Sequence, residues 1–361
     1  MTGSLEASFL RGIMCVVSAS AVSMKRLRVI ESIFSFLVWW LVGMPCVWGQ
    51  SGHTAKLIDG AKREKEVVIY GTMDLRGANL LNDKFREKYP FLDVRLNRFG
   101  SGSLVPRALA EVRAGKHLFD ILQTNSLGLH FLKKEGILGY YVSPEDPFYP
   151  KQFKDQGYWI TTNMNVHVLA FNTRLIAREL LPRTYEDLLN PVWRGKMVLD
   201  TSEQWFALML QIMGKDKGLK YMAELAKQSI LLRRESSAMR AQLIAAGEAP
   251  LDIDSTLGPV DQLKKRGAPI DWLTVGPVPV VTSAHGIAAR PLHPNAARLY
   301  MDFVLSKEGQ RLVLDIGRQV ARTDLLQEQE SIQNLQLVPL DPAAGENMDY
   351  YARQIKEIFH Q

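Results

Sequence analysis

Residues 67–72 read Val-Val-Ile-Tyr-Gly-Thr, an apolar run that ends at a glycine and a threonine. A short apolar run bounded by turn residues is typical of a buried strand. The next segment carries apolar residues at helical spacing until Pro90, and residues 94–97 form a second strand-like run. Strand, helix and strand in this order predict an α/β protein with a largely parallel sheet.

The same alternation continues along the chain, without internal repeats or low-complexity stretches. Further strand-like runs occur at residues 119–122, 166–171, 197–199, 251–253 and 286–289. A chain that leaves one α/β unit and later returns to it forms two lobes joined by two crossing strands. We therefore predict a first lobe at residues 50–165 and 277–361, a second lobe at residues 166–276, and a ligand cleft between them.

The first 49 residues have the layout of a secretory signal peptide. A basic segment at residues 25–28 (KRLR) precedes an apolar run at residues 33–42 (IFSFLVWWLV), and Gly49 is a small residue before the predicted cut. The apolar run is about half as long as the ~20 residues that a membrane span needs, which favours a cleaved leader over an uncleaved anchor. Residues 1–23 fit neither part, so we expect Met24 to be the true start.

Both cysteines, Cys15 and Cys46, precede the predicted cut, so the exported chain would have none. Its length of about 310 residues is enough for a large core without disulfides. Thiol nucleophiles and cysteine metal sites are thereby excluded from the exported chain. Pro45 directly before Cys46 argues against lipid attachment at that cysteine.

The charge of the chain is small and mixed. The formal net charge is +6, and the leader carries four basic and two acidic residues, which leaves 40 basic and 36 acidic residues in the exported part. Nucleic-acid binding needs a concentrated basic face, and this composition does not support it.

Several short blocks between residue 66 and about residue 325 identify a family through their order and spacing. The blocks are Phe85-x-x-Lys88-Tyr89-Pro90, Gly100-Ser101-Gly102, Ala114-Gly115-Lys116, Phe171-Asn172-Thr173, residues 184–189 (TYEDLL), residues 191–196 (PVWRGK), Gly247-Glu248-Ala249-Pro250 and Glu308-Gly309-Gln310. Together they resemble bacterial extracellular solute-binding proteins, in the branch similar to ferric-iron-binding periplasmic proteins of ABC importers. The resemblance implies a type 2 periplasmic-binding fold, a monomer in the periplasm, and hinge closure on a small-molecule ligand. It also implies a permease and an ATPase in the inner membrane as partners.

The residue types that ferric-binding members use as ligands do not occur at the matching positions. Those members hold the metal with a histidine after the first strand, a glutamate after the third strand and two adjacent tyrosines in the second lobe. Here the matching positions read Gly71-Thr72-Met73-Asp74, Thr124-Asn125-Ser126 and Leu257-Gly258. We therefore expect no protein metal site and no cofactor, although a ferric chelate is compatible with the resemblance.

Candidate ligand-binding residues of the first lobe lie where the predicted strands end. They are Thr72, Ser101, Gly102, Ser103, Thr124, Asn125 and Ser126. Backbone N–H groups and hydroxyls at such helix starts suit a carboxylate, phosphate or phosphonate. The alternative is that these residues only form turns and cap helices.

Four candidates lie in or beside the second lobe. Thr201 precedes a helix and either caps it or contacts the ligand. Trp205 either stacks on an organic solute or, at helical spacing with Leu208, belongs to the core. Asp254 at a strand end pairs with an ammonium group, assists a metal or only lies on a solvated edge, and His285 lies near the return connection.

Catalytic motifs are missing from the sequence: the histidines lack metal-binding spacing, and neither a Gly-x-Ser-x-Gly elbow nor a Walker-type loop occurs. We therefore predict a protein that is not an enzyme. It would capture a small polar, anionic solute (a phosphonate, sugar phosphate, carboxylate or ferric chelate) for an ABC-type importer. Two alternatives stay open, a ligand-sensing protein for a membrane sensor kinase and an enzyme on the same scaffold.

Overall fold

The computed structural model describes residues 47–100 and 102–360. The chain divides into two compact units, Met1–Lys56 and Leu57–Gln361. In the first unit the description begins with helix α1 (Val47–Glu64), so the predicted leader at residues 1–49 lies almost wholly outside the described residues. Within the described part of the chain, helices that combine the length and the apolar character needed to cross a membrane are not found.

After α1, strands and helices alternate, as the run at residues 67–72 predicts. The elements are β1 (Glu66–Gly71), α2 (Leu75–Lys88), β2 (Asp93–Arg98), α3 (Leu104–Arg113), β3 (Ile121–Asn125), α4 (Ser126–Lys134), β4 (Lys154–Asp155) and β5 (Trp159–Asn172). Two 3₁₀ turns, Asp146–Phe148 and Lys151–Phe153, precede β4. Asp74 caps α2 and Asn125 caps α4, because each side chain accepts a hydrogen bond from an N–H of the first helical turn.

The middle of the chain builds the second lobe. Its elements are the 3₁₀ turns Arg178–Leu180, Glu186–Leu189 and Pro191–Trp193, then β6 (Met197–Leu199), α5 (Glu203–Met213), α6 (Lys215–Ala226), β7 (Leu231–Leu232), α7 (Ser237–Ala246), β8 (Leu251–Thr256), α8 (Leu257–Lys265) and β9 (Ile270–Leu273). Thr184 and Asp187 exchange the hydrogen bonds of a capping box. The capping box nevertheless starts only one 3₁₀ turn, since Pro191 follows closely and disfavours a helical residue before it.

The chain then returns towards the first lobe. The elements are β10 (Val278–Ile287), α9 (Pro294–Leu305), α10 (Lys307–Asp315), α11 (Thr323–Leu326), β11 (Leu337–Pro339), the 3₁₀ helix Pro342–Asn347 and α12 (Met348–Phe359). The strand-like run at residues 286–289 covers only the end of β10, so its predicted start is wrong because β10 already begins at Val278. His293 is the N-cap residue of α9, and the side chain of Asn295 donates to Glu64.

The strands lie in the order β2-β1-β3-β10-β5-β8-β6-β7. β1 is parallel to β2 and β3, whereas β10 is antiparallel to both β3 and β5. Strand β5 changes partner along its length: Val166 is its last residue paired with β10, and His167 is its first residue paired with β8. The strand therefore runs from one lobe into the other, and the connection lies between these two residues.

Each lobe has its own apolar core. The first core includes Phe85, Ile121, Val166, Val280 and Phe303, and the second includes Phe171, Leu199, Phe206, Met222 and Leu251. A smaller cluster on the opposite face of β10 joins α4, α5 and the chain after β11 through Leu127, Ala207, Leu208, Val281 and Leu340. Neighbouring residues of a strand point to opposite faces, which explains why Val280 and Val281 belong to different clusters.

The carboxyl-terminal helix crosses to the second lobe. Ile355 and Phe359 of α12 belong to the second core, although residues 277–361 are assigned to the first lobe by the sequence pattern. That division into lobes stays a prediction. A division based on strand order alone does not predict that α12 packs against the second core.

Candidate functional site

The carboxyl ends of the parallel strands of both lobes meet at the connection between them. β1, β2 and β3 end at one edge, where Thr72 and Asn125 lie. β6, β7 and β8 are also parallel, and β8 ends at Thr256. His167, one residue beyond the pairing of β5 with β10, pairs with Thr256. The two edges therefore face each other, as at ligand sites of open α/β sheets.

The loop at residues 72–74, which we call the β1 loop, is held from both sides. The side-chain oxygen of Gln123 on β3 accepts hydrogen bonds from Thr72 N at 2.9 Å and from Met73 N at 2.8 Å. The Nε group of Arg98 on β2 donates to the carbonyl oxygen of Met73 at 3.0 Å. These bonds fix the backbone of the β1 loop at the edge of the first lobe.

A cavity of about 240 Å³, which we call the hinge cavity, lies between the lobes beside β5. Its walls are formed by Asp74, Arg76 and residues 316–319 of the first lobe, by Met164 and Asn165 of β5, and by Thr256, Gly258, Pro259 and Gln262 of the second lobe. The two lobes approach closely here: a Cβ atom on Gly258 would lie 3.1 Å from the carbonyl oxygen of Gly317. Glycine at position 258 thus permits the contact.

Two arginines and one carboxylate give the hinge cavity its charge. Arg318 forms an ion pair with Asp74, and Arg76 is exposed on the first turn of α2. Burial acts to raise the pKa of Asp74, but the N–H of Gly77 and the guanidinium of Arg318 outweigh it and lower the pKa below its usual value. Asp74 therefore neutralises one of the two arginines, and the cavity keeps a positive charge.

Helix α8 starts at the hinge cavity without a side-chain cap. Thr256 is its N-cap residue, but the threonine side chain makes no capping bond to the helix. Its hydroxyl instead donates to Ser237 Oγ at 2.8 Å. The positive end of the helix dipole at Gly258 is therefore not satisfied by its own N-cap side chain.

A buried charged cluster, the Arg240 network, supports the second-lobe edge. Arg240 is 2% exposed, and its guanidinium lies 3.1 Å from Asp252 and 3.2 Å from Asp200. It also donates to the backbone oxygen of Asp254, whose carboxylate lies 2.6 Å from His167 Nδ1. Arg240 thus forms ion pairs with acids of its own lobe.

Burial governs the titration of these acids. The pKa of Asp254 is raised from 3.8 to about 6 because burial disfavours its charge, and His167 only partly offsets this effect. Burial likewise raises the pKa values of Asp252 and Asp200, with Arg240 opposing it.

The predicted first-lobe residues lie at or next to the strand ends, with different exposures. Thr72 is half-buried, and Asn125 is half-buried and occupied as the cap of α4. Thr124 lies inside β3 and is 1% exposed, so it does not follow the strand as the sequence predicts. Ser126 is buried at the first position of α4.

The structure describes only part of the predicted glycine-serine segment at residues 100–103. Gly102 and Ser103 are exposed before α3, and the Ser103 hydroxyl donates to the carbonyl oxygen of Gly100 at 3.1 Å rather than capping the helix. Ser101 lies outside the described residues. The hinge cavity is not lined by Gly102 or Ser103 among the described residues.

Two further candidates, Trp205 and His285, are buried. Trp205 is 3% exposed and packs inside the second core, as the core alternative for this residue predicts. His285 is 2% exposed, with Nδ1 2.9 Å from the Thr162 hydroxyl and its ring near Tyr300. Burial lowers the pKa of His285 to about 3. Thr201 is buried directly before the α5 cap, and Asp254 belongs to the Arg240 network.

Several site residues were missed by the sequence reasoning. Arg76 lies in the first turn of α2 and Arg318 follows α10, so neither stands at a strand end. Thr256 was missed because β8 runs three residues beyond the predicted end at residue 253. A predicted strand continued through Asp254 and Ser255 would have placed Thr256 at its end.

The described residues contain no cluster of three or more histidine, cysteine, aspartate or glutamate side chains arranged to hold a metal ion. Three segments occupy the positions that match the metal ligands of ferric-binding proteins. They are the β1 loop, the end of β3 with the start of α4, and the start of α8. These segments offer hydroxyl, amide and backbone groups together with the carboxylate of Asp74.

A family model described as "Bacterial extracellular solute-binding protein" matches residues 118–341, which is more than half of the chain. The protein therefore belongs to this family. Proteins of the family bind a small-molecule solute outside the cytoplasm and work with an ABC transporter, and they are transport proteins rather than enzymes.

Solved structures share the two-lobed fold. Iron-bound HitA from Pseudomonas aeruginosa is 19% identical with a TM-score of 0.71, covering 81% of this chain and 99% of that one. AfuA from Actinobacillus pleuropneumoniae, with fructose-6-phosphate bound, is 23% identical with a TM-score of 0.65, covering 81% and 97%. Trichodesmium IdiA (FutA), in complex with iron and citrate, is 16% identical with a TM-score of 0.69, covering 81% and 99%. At these identities the likeness shows the fold alone.

One curated sequence, the CRISPR-associated endonuclease Cas1 of Thermotoga maritima, is 25% identical over 95 residues. The match spans 26% of this chain and 28% of that protein. A local match of this extent does not show a shared family.

Proposed function

We propose that this protein captures a small polar anion in the hinge cavity and delivers it to an ABC importer. The observation that carries the proposal is the uncapped start of α8, which lies in one cavity with Arg76 and Arg318. Asp74 offsets only one of these charges. The cavity therefore attracts an anion.

The groups around the hinge cavity match the chemistry of carboxylates and phosphates. A helix start presents backbone N–H groups and a partial positive charge to an anion. Arginine donates two parallel hydrogen bonds to a carboxylate or phosphate, which adds geometry to charge. Asn165 and Gln262 on the cavity wall provide amide groups that suit hydroxyls of the same solute.

The Arg240 network favours the hinge cavity over the neighbouring second-lobe edge as the anion site. Its guanidinium is buried among Asp200, Asp252 and Asp254. A solute anion there would approach three carboxylates and a guanidinium that is already hydrogen-bonded. Arg76 and Arg318 are more accessible, which supports their role in binding.

The size of the cavity supports a small solute. Its volume of about 240 Å³ is just below the range of about 300–1,000 Å³ that is common for ligand pockets. Carboxylates, phosphonates, sugar phosphates and compact ferric chelates belong to this class. AfuA was solved with a sugar phosphate and the Trichodesmium protein with iron and citrate, which supports testing both types of anion.

We further propose that the chain works as a monomer in the periplasm after removal of residues 1–49, with an inner-membrane permease and an ATPase as partners. The leader pattern and the extracellular family support the location and the transporter partners. The closed form would present surfaces of both lobes to the permease.

Thermal denaturation with a panel of solutes tests the proposal, because a ligand that binds only the folded state raises the melting temperature. The panel contains fructose 6-phosphate, methylphosphonate, citrate, ferric citrate and spermidine. We expect one of the anions to raise the melting temperature. Arg76→Gln and Arg318→Gln should each reduce that shift, while the exposed Arg194→Gln keeps it.

Binding of spermidine without any anion would contradict the proposal, since the hinge cavity would then carry the wrong charge. An anion shift that survives in both Arg76→Gln and Arg318→Gln would place the site elsewhere. Comparing each variant with its own ligand-free melting temperature separates binding from a loss of fold stability.

A further inference from the structure

Gln123 has an unusual combination of burial and partners. It is 3% exposed on β3, and its side chain reaches across to the end of the neighbouring strand β1. There its single carboxamide oxygen accepts hydrogen bonds from the N–H groups of two consecutive residues, Thr72 and Met73. One side-chain atom thus holds the backbone at the point where β1 leaves the sheet.

The two N–H groups do not depend on Gln123 to the same degree. Thr72 N also donates to the backbone oxygen of Gln123 at 3.0 Å, so it keeps an acceptor when the side chain is replaced. Met73 N donates to the side-chain oxygen at 2.8 Å. Replacing the carboxamide therefore affects Met73 more than Thr72.

The β1 loop leads directly into the candidate site. Asp74, the next residue after Met73, caps α2 and forms the ion pair with Arg318 in the hinge cavity. Arg76 lies two residues further on. A shift of the loop backbone at Met73 therefore displaces the charged groups of the cavity wall.

We infer that Gln123 is a positioning residue for solute binding. It does not belong to the described lining of the hinge cavity, so it acts through the β1 loop. By holding the loop in the ligand-free protein, it removes an ordering cost that binding would otherwise include. The inference rests on the proposed function, because it takes the hinge cavity as the solute site.

Three variants separate positioning from a general role in stability. Gln123→Met has a similar length but lacks the acceptor oxygen, and Gln123→Glu retains an acceptor at that position. Gln228→Met is the matched control, since Gln228 is also a buried glutamine whose side chain bonds a backbone group, in its case Leu189 O at 2.7 Å in the second lobe.

Residue-resolved hydrogen exchange by NMR on the ligand-free protein is the first measurement. We expect the Met73 amide to exchange about tenfold faster or more in Gln123→Met, with a smaller change at Thr72, because a lost hydrogen bond exposes the amide to local opening. Gln123→Glu and Gln228→Met should keep the slow exchange at Met73. Unchanged exchange at Met73 in Gln123→Met would overturn the inference, whether or not a ligand is known.

Calorimetric titration with fructose 6-phosphate, citrate and ferric citrate is the second measurement. For the anion that binds wild type, we expect Gln123→Met to weaken binding about tenfold, Gln123→Glu to restore most of it and Gln228→Met to leave it unchanged. Faster exchange at Met73 with unchanged affinity would also overturn the inference. If no anion binds wild type, the proposed function fails, and the inference about Gln123 fails as a claim about solute binding even when its exchange result is as expected.

Discussion

His167 Nδ1 lies 2.6 Å from a carboxylate oxygen of Asp254, and this bond joins the strand between the lobes to the end of β8. His167 is the first residue of β5 beyond its pairing with β10. Its side chain is 12% exposed, whereas that of Asp254 is 2% exposed. The pair therefore links the Arg240 network to the strand that runs from one lobe into the other.

The Asp254 carboxyl is predicted to lower stability as the pH rises. Its pKa is raised from 3.8 to about 6 in the folded protein, so folding takes up a proton at this group between those two pH values. Its contribution to stability is therefore complete below pH 3.8 and lost as the pH rises through about 6. We expect the free energy of unfolding of wild type, minus that of Asp254→Asn, to fall across this window.

Urea denaturation of both proteins at several pH values measures that difference. Glu224→Gln is a suitable control, because Glu224 lies on the surface in an exposed ion pair with Lys227. A difference that stays constant or grows with rising pH would contradict the assignment of a raised pKa to Asp254.

His285 is predicted to have the opposite effect. Burial lowers its pKa from 6.5 to about 3, so the unfolded chain takes up a proton before the folded protein does. The stability that it contributes is complete above pH 6.5 and is lost as the pH falls towards 3. We expect wild type to lose up to about 1.4 kcal/mol per pH unit more than His285→Gln within this window.

Denaturation curves of wild type, His285→Gln and the exposed-histidine control His360→Gln test this expectation. The control should follow wild type. If His285→Gln shows the same acid dependence as wild type, His285 titrates normally and is accessible to protons, which would revive its candidacy as a cleft residue.

Much of the fold could be predicted because its signals are local. The strand at residues 197–199 was predicted with the bounds that the structure has, and β1 extends the apolar stretch at residues 67–70 by one residue at each end. Strand β10 was missed at its start because Pro279, Thr282 and Ser283 interrupt its apolar pattern. Pro279 is the second residue of β10, where the strand pairs with β11, and Thr282 and Ser283 lie where it pairs with β5; no local pattern reveals these partners.

Strand ends indicate the edge of the sheet where the candidate site lies, but not the residues that line it. Thr72, Asn125 and Asp254 were predicted from strand ends, and none of them belongs to the described lining of the hinge cavity. The pairing of Asp74 with Arg318 joins residues 244 positions apart and depends on the packing of α10 against α2. Trp205 illustrates the reverse problem, since a tryptophan near a strand end has the same sequence pattern in a core and in a cleft.

Replacement of Trp205 distinguishes those two roles. Trp205 is 3% exposed within the second core, so Trp205→Ala should lower the free energy of unfolding by about 3–5 kcal/mol through loss of packing. Trp205→Phe preserves more of the volume and should cost less. We expect Trp205→Phe to keep the anion-induced rise in melting temperature, because the structure places the indole away from the hinge cavity.

Thermal melts of Trp205→Phe and Trp205→Ala, each with and without the anion that binds wild type, provide the comparison. The core assignment is wrong if Trp205→Phe retains the ligand-free melting temperature and loses the response to the anion. We expect Trp205→Phe to have a lower ligand-free melting temperature than wild type and to keep the rise in melting temperature on addition of the anion.

Arg240 is predicted to be the most sensitive charged residue of the second lobe. It is 2% exposed and pairs with Asp252, which is fully buried, as well as with Asp200. Arg240→Met leaves buried carboxylates without their partner and should lower the free energy of unfolding by about 3–5 kcal/mol near neutral pH. Because burial raises the pKa of Asp252 and Asp254, protonation should relieve part of this loss as the pH falls.

Urea denaturation of Arg240→Met at neutral and mildly acidic pH measures both effects, with Lys217→Met as the control. Lys217 pairs with Glu186 at the surface, and such an exposed pair contributes only about 0–1 kcal/mol. The double variant Arg240→Met with Asp252→Asn should recover stability relative to Arg240→Met, since it removes one unpaired buried charge. If the double variant is less stable than Arg240→Met, the cost arises from lost packing of the arginine side chain rather than from unpaired charge, and the electrostatic account of the Arg240 network is wrong.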